Sequence, residues 1–207
     1  MSHNFYHSYG KRLFDVTLSS VGLIILSPVI LVIALSIKLT SKGPIIFKQE
    51  RMGKGFKPFQ FFKFRSMVPN ASSLGPGITS KGDPRITPIG KWLRATKCDE
   101  LPQLLNVIKG DMSLVGPRPE LDQYVQKARK DYTHILTIKP GITDMAAIVF
   151  RDEESKLATY SDKETVYVNT ILPQKIQLYR QYMNTMSLRQ DLKILFRTFT
   201  AILNPQA

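Results

Sequence analysis

At 207 residues, with 43% hydrophobic and 22% charged side chains, the chain is long enough to bury one good core and short for two. Its 29 Lys and Arg against 16 Asp and Glu give a formal charge of +13, which favours anionic partners, whether nucleic acid, anionic lipid or phosphorylated metabolites, without choosing among them. One cysteine, Cys98, excludes an intrachain disulfide and a thiolate metal site and fits a reducing compartment, and His3, His7 and His134 are too scattered for a metal cluster.

From Val16 to Ile37 no residue is charged. As a helix this run would be roughly 33 Å long, enough to cross the hydrocarbon core of a bilayer. No small-x-small cleavage pattern follows it before Lys38 and Lys42, so a removable signal peptide fits poorly. Ser27-Pro28 near the middle predicts a break, because proline lacks the backbone donor and clashes with the preceding turn. Each arm would then be roughly half the depth of the hydrocarbon core. Lys11 and Arg12 before the run and Lys38 and Lys42 after it make both flanks basic, whereas a spanning helix is expected to be asymmetric. The charges lean toward a re-entrant hairpin, but prolines are tolerated in spanning helices, and both topologies stay open on these grounds.

Beyond Gly43-Pro44, the segments IIFKQ and FQFFKFR flank a turn-rich RMGKGFKP stretch and predict a β-hairpin. Phe62 and Phe64 alternate with Lys63 and Arg65, which would make one face apolar and the other cationic. Residues Pro69 to Pro88 are rich in Ser, Gly and Pro and read as a surface loop near the substrate. Leu101, Leu104, Leu105 and Ile108 recur at helical spacing until Gly110, which would put Asp99 at a helix start. Helices are also expected over Glu120 to Ile138, Val166 to Gln181 and Leu188 to Leu203. The last is amphipathic and basic, suited equally to the membrane interface and to packing on a core. Dinucleotide-binding, P-loop, zinc and Ser-His-Asp motifs are lacking in the sequence, and interleaved basic and aromatic residues are weak evidence for nucleic acid.

The chemistry concentrates at Asp99-Glu100. These adjacent carboxylates follow Arg85, Lys91, Arg94 and Lys97 and precede Lys109 and Arg118. Cations there keep carboxylates ionised, arginines can clamp diphosphate oxygens through bidentate hydrogen bonds, and a divalent metal can bridge carboxylate and phosphate. A blander explanation is that Asp99 caps a helix and Glu100 sits at its positive end. The Gly-Pro-Arg-Pro turn around Arg118 has the equally plain reading of a rigid loop.

The string GDPRITPIGKWLRATKCDELPQLLNVIKGDMSLVGPRP, Gly82 to Pro119, resembles the bacterial sugar transferase family, the monotopic phosphoglycosyl transferases. KRLFD with the apolar run after it, IIFKQERMG, FFKFRSM and KPGIT match in order, so that most of the chain is covered. The resemblance implies an α+β fold in two parts acting as one unit: a re-entrant membrane helix broken at Ser27-Pro28 within residues 1–42, and a small mixed α/β catalytic domain with interfacial amphipathic helices over 43–207. It implies transfer of a sugar 1-phosphate from a UDP-sugar to undecaprenyl (polyprenyl) phosphate with release of UMP, at the cytoplasmic face of a bacterial inner membrane and without nucleic acid. In the family the aspartate is the nucleophile and the glutamate helps hold Mg²⁺, roles that fall on Asp99 and Glu100. Lys63, Arg65, Arg94, Arg118 and Arg151 are the candidates for substrate phosphates. After Thr143 the chain departs from the Ala-Gln-Val-x-Gly-Arg pattern of many members. Ala146 and Arg151 match, but Ala147 and Phe150 replace Gln and Gly, which marks a branch with a different donor sugar. The competing expectations are a membrane-anchored basic interaction protein and a transferase fold that has lost turnover.

Overall fold

The computed structural model describes residues 6–75, 78–80 and 82–204. Helix α1 spans Lys11–Thr40 and is followed by an antiparallel hairpin of β1 (Ile46–Met52) and β2 (Pro58–Phe64), in which Ile46 faces Phe64 and Met52 faces Pro58. Next come α2 (Pro88–Ala95), α3 (Gln103–Lys109), β3 (Ser113–Val115), α4 (Asp122–Lys127), α5 (Arg129–Ile135) and β4 (Gly141–Thr143). β4 returns parallel to β3. The chain closes with α6 (Met145–Val149), α7 (Glu153–Ala158), α8 (Lys163–Val166), a π-helical turn Tyr167–Ile171, α9 (Leu172–Thr185) and α10 (Leu188–Leu203). Mixed helices and small sheets agree with the expected α+β class.

Among the described residues, α1 is the one helix long and apolar enough to cross a membrane. It is continuous through Ser27-Pro28 rather than divided into two helices. Pro28 cannot donate to the Ile24 carbonyl, but the Ser27 hydroxyl does so at 2.8 Å, so the acceptor that proline orphans is satisfied within the turn. Asp15, Ser19, Gly22, Ile33 and Ile37 fall along one helix face. Asp15, Ser19, Ile33 and Ile37 are buried, and a Cβ on Gly22 would touch Leu104. The opposite face, with Ile24, Ile25, Leu31, Val32 and Leu35, is exposed.

One cluster packs Ile33 and Ile37 of α1 against Phe64 and Leu93. A second joins Phe61, Val107, Met112, Val115, Tyr182 and Ile194. A third gathers Tyr124, Tyr132, Leu157, Leu172 and Tyr179. The end of β2 is therefore covered on both faces, since Phe61 and Phe64 belong to different clusters. No cationic face is offered to solvent there: Arg65 is 5% exposed, and Lys63 turns inward to the carboxylates.

The 69–88 stretch forms neither a strand nor an α-helix among its described residues before α2 begins at Pro88; a 3-10 turn lies at Ala71–Ser73. Thr87 caps α2 by accepting from the Gly90 amide at 3.0 Å. Gly90 admits no side chain, because a Cβ there would lie 1.9 Å from the Ser66 carbonyl oxygen. The expected 120–138 helix is two, separated at Ala128, whose φ of −121° and ψ of 33° lie outside the helical region. The expected 166–181 helix begins earlier and ends later, with the π-helical turn inside it. α10 agrees with its expected bounds, but Leu188, Leu192, Phe196, Phe199 and Leu203 are exposed while Asp191 and Ile194 are buried. Its larger apolar stripe is therefore no part of the core.

Candidate active site

Three segments converge on Asp99-Glu100. α2 ends at Ala95 with Thr96 as its cap, Lys97 takes a left-handed conformation (φ 58°), and a 3-10 turn, Cys98–Glu100, carries both carboxylates inward. The lysine side chain makes that backbone conformation unfavourable, and such strain tends to collect at functional sites. Asp99 was expected to start a helix. It lies one turn before α3, whose first residue is preceded by Pro102 and has no side-chain cap. The carboxylate therefore satisfies no helix end.

The hairpin supplies Lys63. Its position is fixed by Asn106, whose amide accepts from the Phe62 N–H at 3.0 Å and donates to the Gln60 carbonyl at 2.7 Å, closing the open edge of β2 onto α3. Lys63 Nζ lies 2.9 Å from Glu100 Oε1 and 3.8 Å from Asp99 Oδ2. The Gly-Pro-Arg-Pro loop supplies Arg118, whose Nη2 donates to Glu100 Oε1 at 2.5 Å and whose Nη1 donates to Oε2 at 3.4 Å. The loop is held by the Gly141 amide, which donates to the Pro117 carbonyl at 2.9 Å.

These contacts separate two adjacent acids. Burial works against the charge on Glu100, but Arg118 and then Lys63 outweigh it and hold its carboxyl well below the ordinary range. Glu100 in turn raises the Arg118 guanidinium. Asp99, 3% exposed, is raised because burial outweighs Lys63, and the charge on Glu100 adds to the rise. Its Oδ1 is buried without a hydrogen-bond partner. A buried acceptor normally has a partner, so this oxygen is a chemically unsatisfied group of the site. Burial likewise lowers Lys63, against the pull of Glu100 and Asp99.

Arg94 adds positive potential at Asp99. Its own guanidinium pairs with Glu154 of α7 and reaches Ser66 Oγ at 3.5 Å. Two other expected phosphate ligands stand elsewhere in the hydrogen-bond network. Arg65 donates from Nη2 to the carbonyl and hydroxyl of Ser41, at 2.9 and 2.7 Å, where α1 ends. Arg151 donates to the Asn204 carbonyl at 3.2 Å. Thus Lys63, Arg94, Arg118, Asp99 and Glu100 come together, whereas the recorded contacts of Arg65 and Arg151 do not join them.

Residues not chosen from the sequence complete the surroundings. Arg51 of β1 donates to Glu120 Oε1 at 3.0 Å, the Tyr167 hydroxyl donates to Oε2 at 2.5 Å, and the Met52 amide donates to the Glu120 carbonyl at 3.0 Å. Together they fasten the chain just past Arg118 to the hairpin. Asp144 Oδ1 accepts from the Ala147 amide at 2.7 Å while Oδ2 is buried without a partner. The available signal was charge: Arg51 and Glu120 are opposite charges inside, or directly after, two of the matching strings.

Among the described residues no three Asp, Glu, His or Cys side chains gather into a metal cage. Mg²⁺ commonly uses one or two carboxylates and takes its other oxygens from water and substrate phosphates. Asp99 Oδ1, without a partner, and Glu100 Oε2, with only its 3.4 Å contact, are a donor set that fits this pattern.

A small α+β domain thus carries an apolar helix long enough to cross a membrane and a carboxylate pair set among lysine and arginine. The chain belongs to the bacterial sugar transferase family, which matches residues 6–205. It is 40% identical over 195 residues to an undecaprenyl-phosphate glucose phosphotransferase of Komagataeibacter xylinus, an alignment covering 91% of this chain and 35% of that protein. A UDP-N-acetylgalactosamine-undecaprenyl-phosphate N-acetylgalactosaminephosphotransferase of Aeromonas hydrophila is 37% identical, over 95% of this chain and 44% of its own. A UDP-glucose:undecaprenyl-phosphate glucose-1-phosphate transferase of Caulobacter vibrioides is 39% identical, over 93% of this chain and 69% of its own. The chain therefore spans less than half of the first two relatives and about two thirds of the third.

Proposed function

We propose that this chain is a phosphoglycosyl transferase that moves a sugar 1-phosphate from a UDP-sugar to undecaprenyl or another polyprenyl phosphate, the first membrane step of lipid-linked glycan assembly. The observation that carries the reading is the Asp99 carboxylate, buried beside Lys63 with Oδ1 unpartnered. In the first step an Asp99 oxygen attacks the phosphorus that bears the sugar. A new P–O bond forms, the bond to the nucleotide-side bridging oxygen breaks, and that oxygen departs with the electron pair as UMP. An oxygen of the lipid phosphate then attacks the same phosphorus, the acyl phosphate bond breaks, and Asp99 returns to a free carboxylate. Two displacements at one carboxylate replace a single difficult encounter between two anions.

Lys63 and Arg118 supply fixed positive charge where the phosphates must sit, the kind of electrostatic preorganisation on which phosphoryl transfer depends. Arg94 extends that field toward Asp99. Glu100, with Asp99, would hold Mg²⁺, which supplies charge neutralisation on the diphosphate when bound. Donor names among the relatives include glucose and N-acetylgalactosamine, so the test uses a panel of UDP-hexoses and UDP-N-acetylhexosamines with polyprenyl phosphate and Mg²⁺. UMP release by the native chain, a mass increase of one donor sugar phosphate on Asp99 when the lipid acceptor is withheld, and loss of both in Asp99→Asn are the expected results. Full turnover by Asp99→Asn would remove Asp99 from the nucleophile role.

A re-entrant seat for α1 is supported by its contacts at both ends. Arg12, near the start, donates to the Val107 and Ile108 carbonyls at 2.5 and 2.8 Å. Ser41, just past the other end, accepts from Arg65. Fastening both ends to one domain favours a seat in which both stay on the same side of a bilayer about 30 Å thick. The exposed stripe of α10 supports an interfacial seat for that helix. The corresponding location is the cytoplasmic face of the inner membrane.

A further inference from the structure

Asp15 is buried, 3% exposed, directly before the uncharged run of the helix. Burying a carboxylate is costly unless its bonds offset the lost hydration, and an apolar side chain would pack there as well. Beside Lys11, whose Nζ lies 3.9 Å from Oδ1, its partner is the backbone of the strand that leads to the active-site loop: Oδ1 accepts from the Leu114 N–H at 3.1 Å. In a strand, alternate residues present their N–H groups to opposite edges. Ser113 and Val115 are the residues paired with β4, so Leu114 faces an edge that has no neighbouring strand. The helix supplies the missing acceptor.

From Leu114 to Arg118 the chain has little freedom. The Ser113 amide donates to the Pro140 carbonyl at 2.8 Å, the Gly116 amide to Thr143 at 3.0 Å and the Gly141 amide to Pro117 at 2.9 Å. Gly116 and Gly141 are in backbone contact, since a Cβ on Gly141 would lie 2.1 Å from the Gly116 nitrogen. Arg118 follows directly and meets Glu100 at 2.5 Å. One turn before Asp15, Arg12 holds the last carbonyls of α3, the helix that begins just after Asp99-Glu100.

We infer that Asp15 is a positioning residue for the reaction, through which the N-terminal helix sets the register of β3 and so the placement of Arg118 against Glu100. The inference rests on the turnover proposed above. The experiment compares wild type, Asp15→Ala and Asp15→Asn as the full chain in lipid nanodiscs. It measures kcat and KM for the UDP-sugar that the wild type turns over, per folded molecule, and the hydrogen exchange of the backbone amides from Leu114 to Arg118. Asp15→Ala should lower kcat/KM on the order of tenfold or more, since small misplacements of a charge clamp are that expensive, and should speed exchange at Leu114. Asp15→Asn keeps an oxygen acceptor and should recover most of both. Wild-type kinetics and exchange in Asp15→Ala, or no recovery in Asp15→Asn, would overturn the inference. The exchange readout does not need turnover: a wild type that releases no UMP defeats the enzymatic reading, while unchanged exchange in Asp15→Ala defeats this one alone.

Discussion

Asp99 and Glu100 share a peptide bond but have opposite electrostatic fates, and each fate predicts a measurement. Glu100 is held below its ordinary value of 4.5, so its ion pairs contribute stability above that pH and lose it as pH falls through the lower folded-state value. The melting temperature of the wild type should drop below pH 4.5, and Glu100→Gln should flatten that part of the profile. At neutral pH the same substitution leaves Lys63 and Arg118 short of a buried partner, a cost of ~3 kcal/mol, or ~6–12 °C for a domain of this size. Asp99 is raised by burial, so its charged form opposes folding once the pH exceeds the folded-state value. Asp99→Asn should therefore melt at a higher temperature at pH 7 while losing turnover on the order of 10³-fold or more. The carboxylate pair was legible in the sequence because it sits in a run of cations. The choice among those cations was not, because Lys63 and Arg65 are two residues apart in a strand pattern that assigns them one face. β2 ends at Phe64, between them, and Arg65 follows the chain to the end of α1.

Elements were read more reliably than their ends. The hairpin and α10 follow from period and turn residues, but the division at Ala128 and the 3-10 turn at Cys98–Glu100 are imposed by packing that local pattern does not encode. α1 was legible as an apolar run. Its continuity depends on one hydroxyl, so Ser27→Ala should leave the Ile24 carbonyl without that donor and reduce stability in lipid by ~1 kcal/mol, measured by thermal inactivation in nanodiscs. The contact of β3 with β4 is equally specific. Gly141→Ala would drive a methyl into Gly116, whose carbonyl oxygen would lie 2.5 Å away. Overpacking of this kind costs ~1–3 kcal/mol or more. Because Arg118 is two residues beyond Gly116, activity should fall further than the melting temperature alone explains.

For the whole molecule, the proposed membrane seat rests on the exposed apolar face of α1 and the exposed stripe of Leu188, Leu192, Phe196 and Phe199. Replacing Phe196 and Phe199 together by Ser should shift the protein from membrane to detergent-free soluble fractions only in part, since α1 remains. Single cysteines at Lys11 and Lys42 in a Cys98→Ser background test topology: labelling of both from one side is expected, and opposite-side labelling would exclude the hairpin seat. The apolar helix itself was legible in the uncharged run, whereas the docking of both helix ends on one domain depends on residues far apart in the chain.

One of those distant contacts bears on how the protein is made. Asp191, fully buried, accepts from the Tyr6 hydroxyl at 2.6 Å, from Lys11 at 2.6 Å and from the Tyr182 hydroxyl at 2.7 Å. The ribosome delivers Tyr6 and Lys11 185 and 180 residues before Asp191. The apolar helix is thus made long before the carboxylate that fastens its start exists. Nascent chains stopped short of Asp191 should hold that helix loosely, and protease resistance around Tyr6 and Lys11 should appear only as α10 is completed.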